Sequence, residues 1–364
     1  MPDRSRLLLY DFLLTKGGAE YVTLLLKSQF KDLDVCVASF NSDEFSEDEL
    51  FSIRLLSQRH TLPSPALRAL STIRLFKQRT AFISAYNMVV YSGMYAPLAI
   101  HKHSGKHNLL YCHTTPPPFA YDWLDFYLEQ YSTWQRPLFL AYCRYFRNAY
   151  AAAVKKMDVL IANSDYVRRR YLDYFGKNSI VIYPPCDTEE FKWIDQKDFY
   201  LSTARHEPHK RVDIIINAFR RLPNKHLIVA SNGSQTKNLR ALAVGADNIE
   251  FVGTTSRKDL QLLIGQCTAT IYIGKDEHFG ITPVESMAAG KPVISVAEGG
   301  LTETVLHQQT GLFLPKPTVE HLITAINILE PQRALEMRYS CQHQAKNFDK
   351  SIFLRKINDL LNIT

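Results

Sequence analysis

Apolar runs alternate with amphipathic stretches along the whole chain, a pattern typical of an α/β protein. The first half predicts six strands, at 6–10, 35–39, 88–91, 109–113, 159–163 and 180–183. The second half predicts strands at 199–203, 226–230, 249–252, 269–273 and 292–296. Helical patterns fill most of the intervals, and segments 51–59 and 66–79 are amphipathic at helical spacing. Each half is therefore expected to form its own parallel sheet.

A proline-rich and charged stretch, from Pro184 to Asp198, predicts a linker between the two halves. The chain has 364 residues, which is enough for two domains that each bury a core. We expect domains at 1–187 and 188–346, followed by a terminal helix at about 347–364.

The amino-acid composition is typical of a globular protein and argues against a membrane-spanning or disulfide-rich one. The chain is 46% hydrophobic and 22% charged, as in soluble globular proteins, with no apolar run of 18 residues and no signal-peptide pattern. Six cysteines are scattered without zinc-site spacing, so neither a disulfide framework nor a metal site is expected. The expected location is cytoplasmic.

The stretch from Glu277 to Lys291 carries the most chemistry. Glu277 and Glu285 flank a glycine-containing turn after a predicted buried strand, at the sheet edge where open α/β sheets bind ligands. Backbone amides there could hold a phosphate or sugar oxygens, and each carboxylate could accept from a sugar hydroxyl. Alternatively, Thr282 as N-cap, Pro283 at the first helical position and Glu285 form a capping box, which would make Glu285 structural.

Basic and glycine-rich loops offer further anion contacts. Gly17 and Gly18 lie at a strand-to-helix junction, where they permit close approach of a phosphate or simply form a tight turn. Arg205 and Lys210 could clamp a diphosphate or be a solvated basic loop. His113 ends a strand, a position that suits either catalysis or structure.

Two decoys are set aside. Asp32 and Asp34 resemble a metal-binding pair, but they precede a strand on the opposite sheet edge and are interpreted as a surface turn. Gly290-Lys291 is followed by proline rather than serine or threonine, so a P-loop is excluded.

Charge placement suggests a surface partner. No acidic residue occurs between Glu49 and Asp122, whereas eight basic residues do: Arg54, Arg59, Arg68, Arg74, Lys77, Arg79, Lys102 and Lys106. Such a region would attract anionic headgroups or other polyanions, unless it is merely a solvated face. An aromatic-rich stretch, 119–150, follows and suits core packing, sugar stacking or membrane-interface contacts.

The pair of glutamates separated by seven residues, the Phe-Gly between them and the trailing Ala-Ala-Gly-Lys-Pro-Val-Ile resemble the signature of retaining, nucleotide-sugar-dependent glycosyltransferases of family 4. The resemblance implies the GT-B fold, two Rossmann-like domains facing across a cleft. It places the donor nucleotide on the second domain and the acceptor on the first, with the terminal helix packing back on the first domain.

The resemblance also implies roles for single residues. The expected catalytic residues are Glu277, His113, Arg205 and Lys210. The expected donor-binding residues are Gly17, Gly18, Asn232, Gly233, Gly253, Thr254, His278, Phe279, Gly280, Ile281 and Glu285. The expected acceptor contacts are Thr114, Tyr121 and Trp123.

The segment Tyr-Cys-His-Thr-Thr-Pro-Pro around His113 is similar to the His-Thr-Pro segment of bacterial family members that transfer mannose from GDP-mannose. It departs from that pattern by an extra threonine and by Phe119 where a basic residue is usual. The implied reaction is metal-free and cofactor-free transfer of a hexose, mannose from GDP-mannose being favoured, to a saccharide or lipid-linked acceptor.

Other functions stay open at this point. They are a UDP-sugar-dependent transferase, a nucleotide-sugar epimerase of the same fold, and a basic protein that binds membranes or polyanions. Nucleic acid is not expected as a partner. The basic region predicts peripheral contact with the inner face of an anionic membrane.

Overall fold

The computed structural model describes residues 6–57, 65–103 and 107–362. The chain divides into two compact units, residues 1–182 and 183–364. Each unit is a parallel sheet between helices, as the alternation of apolar and amphipathic stretches predicts.

The described part of the first unit contains a seven-stranded parallel sheet in the order β3-β2-β1-β4-β5-β6-β7. Its strands are β1 Arg6–Leu13, β2 Leu33–Phe40, β3 Arg54–Leu55, β4 Met88–Ser92, β5 His107–Cys112, β6 Val159–Ala162 and β7 Ile180–Val181. Its α-helices are α1 Gly18–Gln29, α2 Glu47–Leu50, α3 Pro65–Gln78, α4 Leu124–Glu129, α5 Arg136–Lys156 and α6 Asp165–Phe175. Short 3-10 helices cover Ala81–Ala85, Ala96–Lys102 and Pro118–Ala120.

The expectation of six strands and of helical structure at 51–59 is wrong where that segment is described. Arg54 and Leu55 instead pair with Cys36 and Val37 of β2 and form an edge strand. Pairing with an existing strand overrides the local helical periodicity, because strand formation depends on its neighbours more than on intrinsic preference. Residues 58 and 59 lie outside the described residues.

The second unit contains, in its described part, a six-stranded parallel sheet in the order β10-β9-β8-β11-β12-β13. Its strands are β8 Phe199–Ser202, β9 His226–Ala230, β10 Ile249–Gly253, β11 Ala269–Tyr272, β12 Val293–Val296 and β13 Gly311–Leu314. Its α-helices are α7 Val212–Arg220, α8 Thr236–Leu242, α9 Arg257–Gln266, α10 Ile281–Ala288, α11 Leu301–Thr304, α12 Val319–Ile328, α13 Pro331–Glu336, α14 Arg338–Ala345 and α15 Lys350–Leu361. Short 3-10 helices cover Pro208–Lys210 and Lys346–Phe348.

The terminal helix α15 has Asp349 as its N-cap. The Asp349 carboxylate accepts from the backbone N–H of Ser351 (2.9 Å), and Lys350 forms an ion pair with Asp187. The expected domain boundary at 187 and the packing of this helix on the first domain stay predictions. In the described part of the chain, no helix combines the length and the apolar character needed to cross a bilayer.

Strand order fixes where each unit can bind a ligand. The order reverses beside β1 and β4 in the first unit and beside β8 and β11 in the second. In open parallel sheets the loops at the carboxyl ends of such strands diverge and leave a crevice. The loops after these four strands are therefore the places to look for a site.

A buried carboxylate stabilises the crevice of the first unit. Asp11, in β1, accepts hydrogen bonds from the backbone N–H groups of Met94 (2.6 Å), Tyr95 (2.9 Å) and Ala96 (2.7 Å), just after β4. Burial raises the pKa of Asp11 to about 6, although the three amides favour the charged form.

We expect Asp11→Ala to lower the free energy of unfolding of the first unit by about 3 kcal/mol, because it leaves three amides at a partly buried turn without an acceptor. Urea denaturation at pH 7.5 measures this loss. The exposed Asp43→Ala variant is the control and should change stability by less than about 0.5 kcal/mol. Equal stability of the two variants would contradict a structural role for Asp11.

Candidate active site

The loop between β11 and α10 is held by close backbone packing. Gly280 is the N-cap of α10 and has a φ of 90°, and a Cβ there would lie 2.7 Å from Leu301. The backbone N–H of Gly300 donates to the carbonyl of Glu277 (2.7 Å), and a Cβ on Gly299 would lie 2.2 Å from that same oxygen. Glycine at these positions therefore allows two loops to fix the backbone of Glu277.

The expected capping box is wrong. The helix begins at Ile281 with Gly280 as N-cap and no side-chain cap, so Thr282 and Pro283 lie inside its first turn. The left-handed backbone at Gly280 starts the helix two residues earlier than the Thr-Pro pattern suggests. Glu285 consequently has no capping role, and its buried carboxylate faces another partner.

That partner is Arg257, at the start of α9. Its guanidinium lies 2.7 Å from Glu285 Oε1 and 3.1 Å from Glu190 Oε2. Burial raises the pKa of Glu285, while the charge of Arg257 opposes that rise. The ion pair orients a buried carboxylate at the carboxyl edge of the sheet.

Three side chains meet at the carboxyl ends of β8 and β11. Lys210 Nζ lies 2.6 Å from Glu277 Oε2 and 3.0 Å from the hydroxyl of Tyr272. The Tyr272 hydroxyl in turn donates to Glu277 Oε2 (2.6 Å). Lys210 is buried and Glu277 half-buried. The sequence-predicted Lys210 and Glu277 thus form one charged cluster.

The members of the cluster shift one another's pKa values. Burial on its own would raise the pKa of Glu277, but the Lys210 ammonium and the Tyr272 hydroxyl lower it to about 2. Burial would lower the pKa of Lys210, yet Tyr272 and Glu277 raise it above its usual value. Near neutral pH the cluster therefore holds an anion and a cation at fixed positions, ready to bind groups of either charge.

The other predicted donor residues of this unit lie on neighbouring loops. Arg205 is exposed in the loop after β8. A hydrogen bond joins the Asn232 side-chain amide and the Thr254 hydroxyl (2.9 Å), which links the loops after β9 and β10. Gly233 lies against the backbone of His206, where a Cβ would approach to 2.6 Å, and Gly253 has a φ of 72°.

The residues between the two glutamates do different things. Phe279 is buried, and its ring stacks on Tyr183 with a centroid distance of 5.6 Å, so only its backbone can serve a ligand. His278 and Ile281 are half-buried. Together with Gly280 they line the turn that leads into α10.

In the first unit, His113 follows β5 directly. Its Nε2 lies 2.6 Å from the hydroxyl of Ser92, at the end of β4, and its ring contacts Tyr111 edge-on at 4.7 Å. Burial lowers the pKa of His113 to about 3. A neutral imidazole is therefore held beside the strand-order reversal.

The glycine loop after β1 lies at the same edge of this sheet. Gly17 is the N-cap of α1, which begins at Gly18. The Tyr10 hydroxyl donates to Glu20 (3.0 Å), and Lys16 pairs with Glu49 (3.1 Å). These contacts fix the loop on both sides.

The predicted acceptor residues are more dispersed. The Thr114 hydroxyl donates to the carbonyl of Thr115 (2.8 Å). The ring of Tyr121 packs against Tyr174 at 4.7 Å, and Trp123 precedes α4. Their acceptor roles stay predictions.

The Asp32–Asp34 pair serves structure. Asp32 pairs with Arg6 (3.0 Å), and Asp34, which lies within β2, accepts from the Tyr86 hydroxyl (2.7 Å). Among residues 6–57, 65–103 and 107–362, no group of three or more His, Cys, Asp or Glu side chains is arranged to hold a metal ion.

Three site residues were missed by sequence reasoning: Tyr272, Arg257 and Ser92. Tyr272 is the last residue of β11 and Ser92 the last residue of β4, two strands at which the strand order reverses. Arg257 is the first residue of α9, the helix that follows the loop after β10. Position at a carboxyl strand end was the available signal. Tyr272 was included only in an apolar run, although its hydroxyl is the polar tip of that strand.

Comparison with known proteins decides the family. The model described as Glycosyltransferase Family 4 matches residues 16–190, and the model described as Glycosyl transferases group 1 matches residues 187–348. Together the two models span most of the chain. The chain belongs to glycosyltransferase family 4.

Several curated relatives of this family 4 chain are mannosyltransferases. It is 29% identical over 255 residues to the alpha-1,3/1,6-mannosyltransferase ALG2 of Dictyostelium discoideum, covering 56% of this chain and 60% of the relative. It is 28% identical over 211 residues to the GDP-mannose-dependent alpha-(1-6)-phosphatidylinositol monomannoside mannosyltransferase of Mycobacterium tuberculosis, covering 50% of this chain and 55% of the relative. The chain thus matches less than two thirds of the length of these relatives.

Solved structures share the fold across nearly the whole family 4 chain. Anabaena HepE, solved in complex with UDP, is similar with a TM-score of 0.78 at 18% identity, covering 99% of this chain and all (100%) of that one. WaaG, a glycosyltransferase involved in lipopolysaccharide biosynthesis, is similar with a TM-score of 0.72 at 14% identity, covering 98% and 100%. The two Rossmann-like sheets and these neighbours confirm the expected GT-B fold class.

The neutral His113 predicts acid sensitivity. Its pKa of about 3 in the folded protein lies below the ordinary value of 6.5, so between these values the unfolded chain binds a proton that the folded protein excludes. Stability should therefore fall as pH drops below 6.5, by up to about 1.4 kcal/mol per pH unit from this group. Between pH 7.5 and 5, the free energy of unfolding of the wild type should fall by up to about 2 kcal/mol more than that of the His113→Gln variant.

Urea unfolding of both proteins at the two pH values measures the difference. The glutamine variant removes the titration and keeps a polar side chain beside Ser92. Parallel changes of stability in the two proteins would contradict the assignment of a neutral histidine at this position.

Proposed function

We propose that this family 4 member transfers a hexose, mannose from GDP-mannose in the first instance, to a saccharide or lipid-linked acceptor with retention of anomeric configuration. The observation that carries the proposal is the Lys210–Glu277 ion pair at the carboxyl edge of the second sheet, with Glu285 buried in α10, the helix that follows the same loop. It supplies one cation for a diphosphate and two carboxylates for sugar and ribose hydroxyls.

Each charge has a proposed task. Lys210, with Arg205 on the same loop, would stabilise negative charge that develops on the departing diphosphate, without a metal ion. Glu277, whose low pKa keeps it ionised, would accept hydrogen bonds from hydroxyl groups of the transferred sugar. Glu285 would accept hydrogen bonds from the ribose hydroxyls, with Arg257 orienting its carboxylate.

We do not assign either glutamate as a nucleophile. Glu277 Oε2 already accepts from Lys210 and Tyr272, which lowers its electron density and fixes its position. We propose instead a front-face reaction in which a donor phosphate oxygen helps to accept the proton of the acceptor. The first unit, with neutral His113, would contribute to the acceptor side.

The donor base is a choice between two candidates. Curated relatives such as the mycobacterial enzyme are named as GDP-mannose-dependent, which favours GDP-mannose. The similar Anabaena HepE structure contains UDP, which makes a UDP-sugar the second candidate. An epimerase of the same fold would act on the donor without an acceptor.

The first test separates the two glutamates. We expect Glu277→Gln to lower kcat by about a hundredfold while the affinity for the nucleotide diphosphate changes little, since its carboxylate is placed for the sugar. Glu285→Gln should do the reverse and weaken GDP or UDP binding, measured by calorimetry. Glu320→Gln, on an exposed ion pair of α12, is the control and should match the wild type in both readouts.

The assay follows nucleotide release and sugar incorporation into a lipid extract over a panel of nucleotide sugars, with and without EDTA. Loss of nucleotide affinity in the Glu277 variant alone would reverse the assignment. Abolition of activity by EDTA, restored by Mg²⁺ or Mn²⁺, would overturn the metal-free mechanism. Sugar conversion without any acceptor would favour the epimerase.

We further propose that the first unit binds the inner face of an anionic membrane, where a lipid-linked acceptor would be found. The proposal is supported by a contact between Lys77 of α3 and Tyr145 of α5. The Lys77 ammonium donates a hydrogen bond to the Tyr145 hydroxyl (2.9 Å) and lies 4.9 Å from the ring centroid. This contact joins α3, which also carries exposed Arg68 and Arg74, to α5.

The adjoining face of α5 is apolar and exposed. Leu138 is 69% exposed and Tyr145 48%, and their spacing of seven positions puts both on one side of α5. Trp134, 70% exposed, lies in the turn just before the helix. Aromatic and aliphatic side chains beside basic ones are the combination that inserts at a headgroup boundary. Of the basic residues of the acid-free region, Arg59 and Lys106 lie outside the described residues.

Reversal of three basic residues should abolish co-sedimentation with anionic liposomes, since each contributes roughly 1 kcal/mol near the surface. The variant carries the changes Arg68→Glu, Arg74→Glu and Lys77→Glu. Its nucleotide binding should be intact. Raising salt from 0.1 to 1 M, which shortens the Debye length from about 10 to about 3 Å, should weaken wild-type binding.

The control carries the same change in net charge on the second unit, at Arg220, Lys316 and Lys356. It should sediment with liposomes as the wild type does. If both triple variants lose binding alike, the attraction is a property of net charge and the proposed surface is wrong.

A further inference from the structure

Tyr272 is the one member of the charged cluster that belongs to the sheet itself. It is the last residue of β11 and 8% exposed. Its carbonyl accepts from the hydroxyl of Ser295 in the adjacent strand β12 (2.8 Å), which adds a side-chain bond to the strand pairing. Its backbone is therefore fixed, whereas Lys210 and Glu277 both follow strand ends in loops.

The hydroxyl of Tyr272 contacts both charged partners at once. It donates its single proton to Glu277 Oε2 (2.6 Å) and accepts from Lys210 Nζ (3.0 Å). A phenol has only one proton to give, so donation to the anion and acceptance from the cation is the arrangement that satisfies all three groups.

We propose that Tyr272 is a positioning residue that sets the geometry of Lys210 and Glu277 for the sugar-diphosphate donor. The inference rests on the proposed function and names a residue of the same site. Tyr272 acts through its two partners and has no assigned contact with the donor.

Geometry gives the hydroxyl this influence. An ammonium has three protons; two of those on Lys210 point to Glu277 and Tyr272, so the direction of the third is set by tetrahedral geometry. With one partner removed, the ammonium could rotate about the remaining hydrogen bond. The third proton would then no longer have a fixed direction toward the diphosphate.

The same logic applies to the carboxylate. Oε2 of Glu277 accepts from both Lys210 and Tyr272, while Oε1 has no partner among the described residues. Two donors on one oxygen fix the plane of the carboxylate and leave the second oxygen for a sugar hydroxyl. The hydroxyl of Tyr272 is also one cause of the low pKa of Glu277, which keeps that oxygen an acceptor.

Two further hydrogen bonds join these loops, one between backbone groups and one from the Arg211 guanidinium. The N–H of Lys275 donates to the carbonyl of His209 (2.8 Å), and Arg211 donates to the carbonyl of Ile273 (3.2 Å). These bonds join the loop that carries Lys210 to the loop that carries Glu277, but neither bond reaches the charged ends of the side chains. The hydroxyl of Tyr272 is the link from those ends to the strand.

The test is Tyr272→Phe, which keeps the ring under the Lys210 ammonium (5.3 Å to the centroid) and removes only the oxygen. We expect kcat for sugar transfer to fall by about tenfold to a hundredfold, the scale of losing one hydrogen bond to charged groups or of a small misplacement. KM for the donor and the affinity for the nucleotide diphosphate should change by less than about threefold, since the remaining donor contacts are kept.

Tyr200→Phe is the matched control. Tyr200 is a buried tyrosine of β8 in the same sheet, and its single hydroxyl proton is shared between the carbonyls of Ile326 (3.2 Å) and Leu329 (2.9 Å). It therefore loses a buried hydroxyl without touching the cluster. Its kcat should stay within about twofold of the wild type even where its unfolding temperature falls.

A double-mutant cycle separates positioning from general loosening. If Tyr272 acts through Glu277, adding Tyr272→Phe to Glu277→Gln should lower kcat much less than it does in the wild type. Tyr200→Phe should have the same small effect in both backgrounds. Independent, multiplicative losses for Tyr272 and Glu277 would overturn the inference, as would a Tyr272→Phe enzyme with wild-type kcat.

The outcome also distinguishes this inference from the proposed function. A wild-type enzyme that transfers no sugar from any donor of the panel overturns the proposed function, and this inference falls with it. An active wild type with an unaffected Tyr272→Phe variant overturns the inference alone.

Discussion

The ion pair between Lys210 and Glu277 organises the second unit. Its two members come from loops after adjacent strands of a parallel sheet, and Lys210 is buried while Glu277 is half-buried. A buried charge without its partner costs several kcal/mol, so neither loop can adopt another conformation without disturbing the other. Gly280, Gly299 and Gly300 allow the backbone of the loop between β11 and α10 to pack closely against the loop after β12, which fixes the backbone of Glu277.

Among the described residues of the first unit, His113 has no corresponding ion-pair partner at the carboxyl edge of its sheet, and the electrostatics there differ from those of the second unit. Here burial lowers the pKa of His113, which keeps the imidazole neutral, while the Asp11 carboxylate is held by three backbone N–H groups. A neutral imidazole can accept or donate a hydrogen bond to a hydroxyl, whereas a fixed ion pair suits a charged diphosphate. The contrast between the two units agrees with the division of labour proposed for acceptor and donor.

Sequence patterns were sufficient for the long elements, and they identified Lys210 and Glu277, which the structure brings into contact. Strands such as 226–230 were placed correctly because a buried parallel strand is continuously apolar. The errors arose where tertiary contact decides. Arg54 and Leu55 form a strand only because β2 offers an unpaired edge, and α10 begins at Ile281 only because Gly280 adopts a left-handed backbone. Tyr272 could not be assigned a role from its position in an apolar run, since its hydroxyl acquires partners only when two distant loops meet beside it.

The division of the chain at residue 182 has a consequence for its synthesis. Every strand of the first sheet comes from residues 1–182, and every strand of the second comes from 183–364. Parallel sheets join strands that are distant in sequence and so fold slowly, over milliseconds to seconds. Ribosomes add about 5–20 residues per second, so the second half takes roughly 10 to 40 s to emerge. The first sheet can therefore close before the strands of the second exist, which keeps two similar sets of apolar strands from pairing with each other.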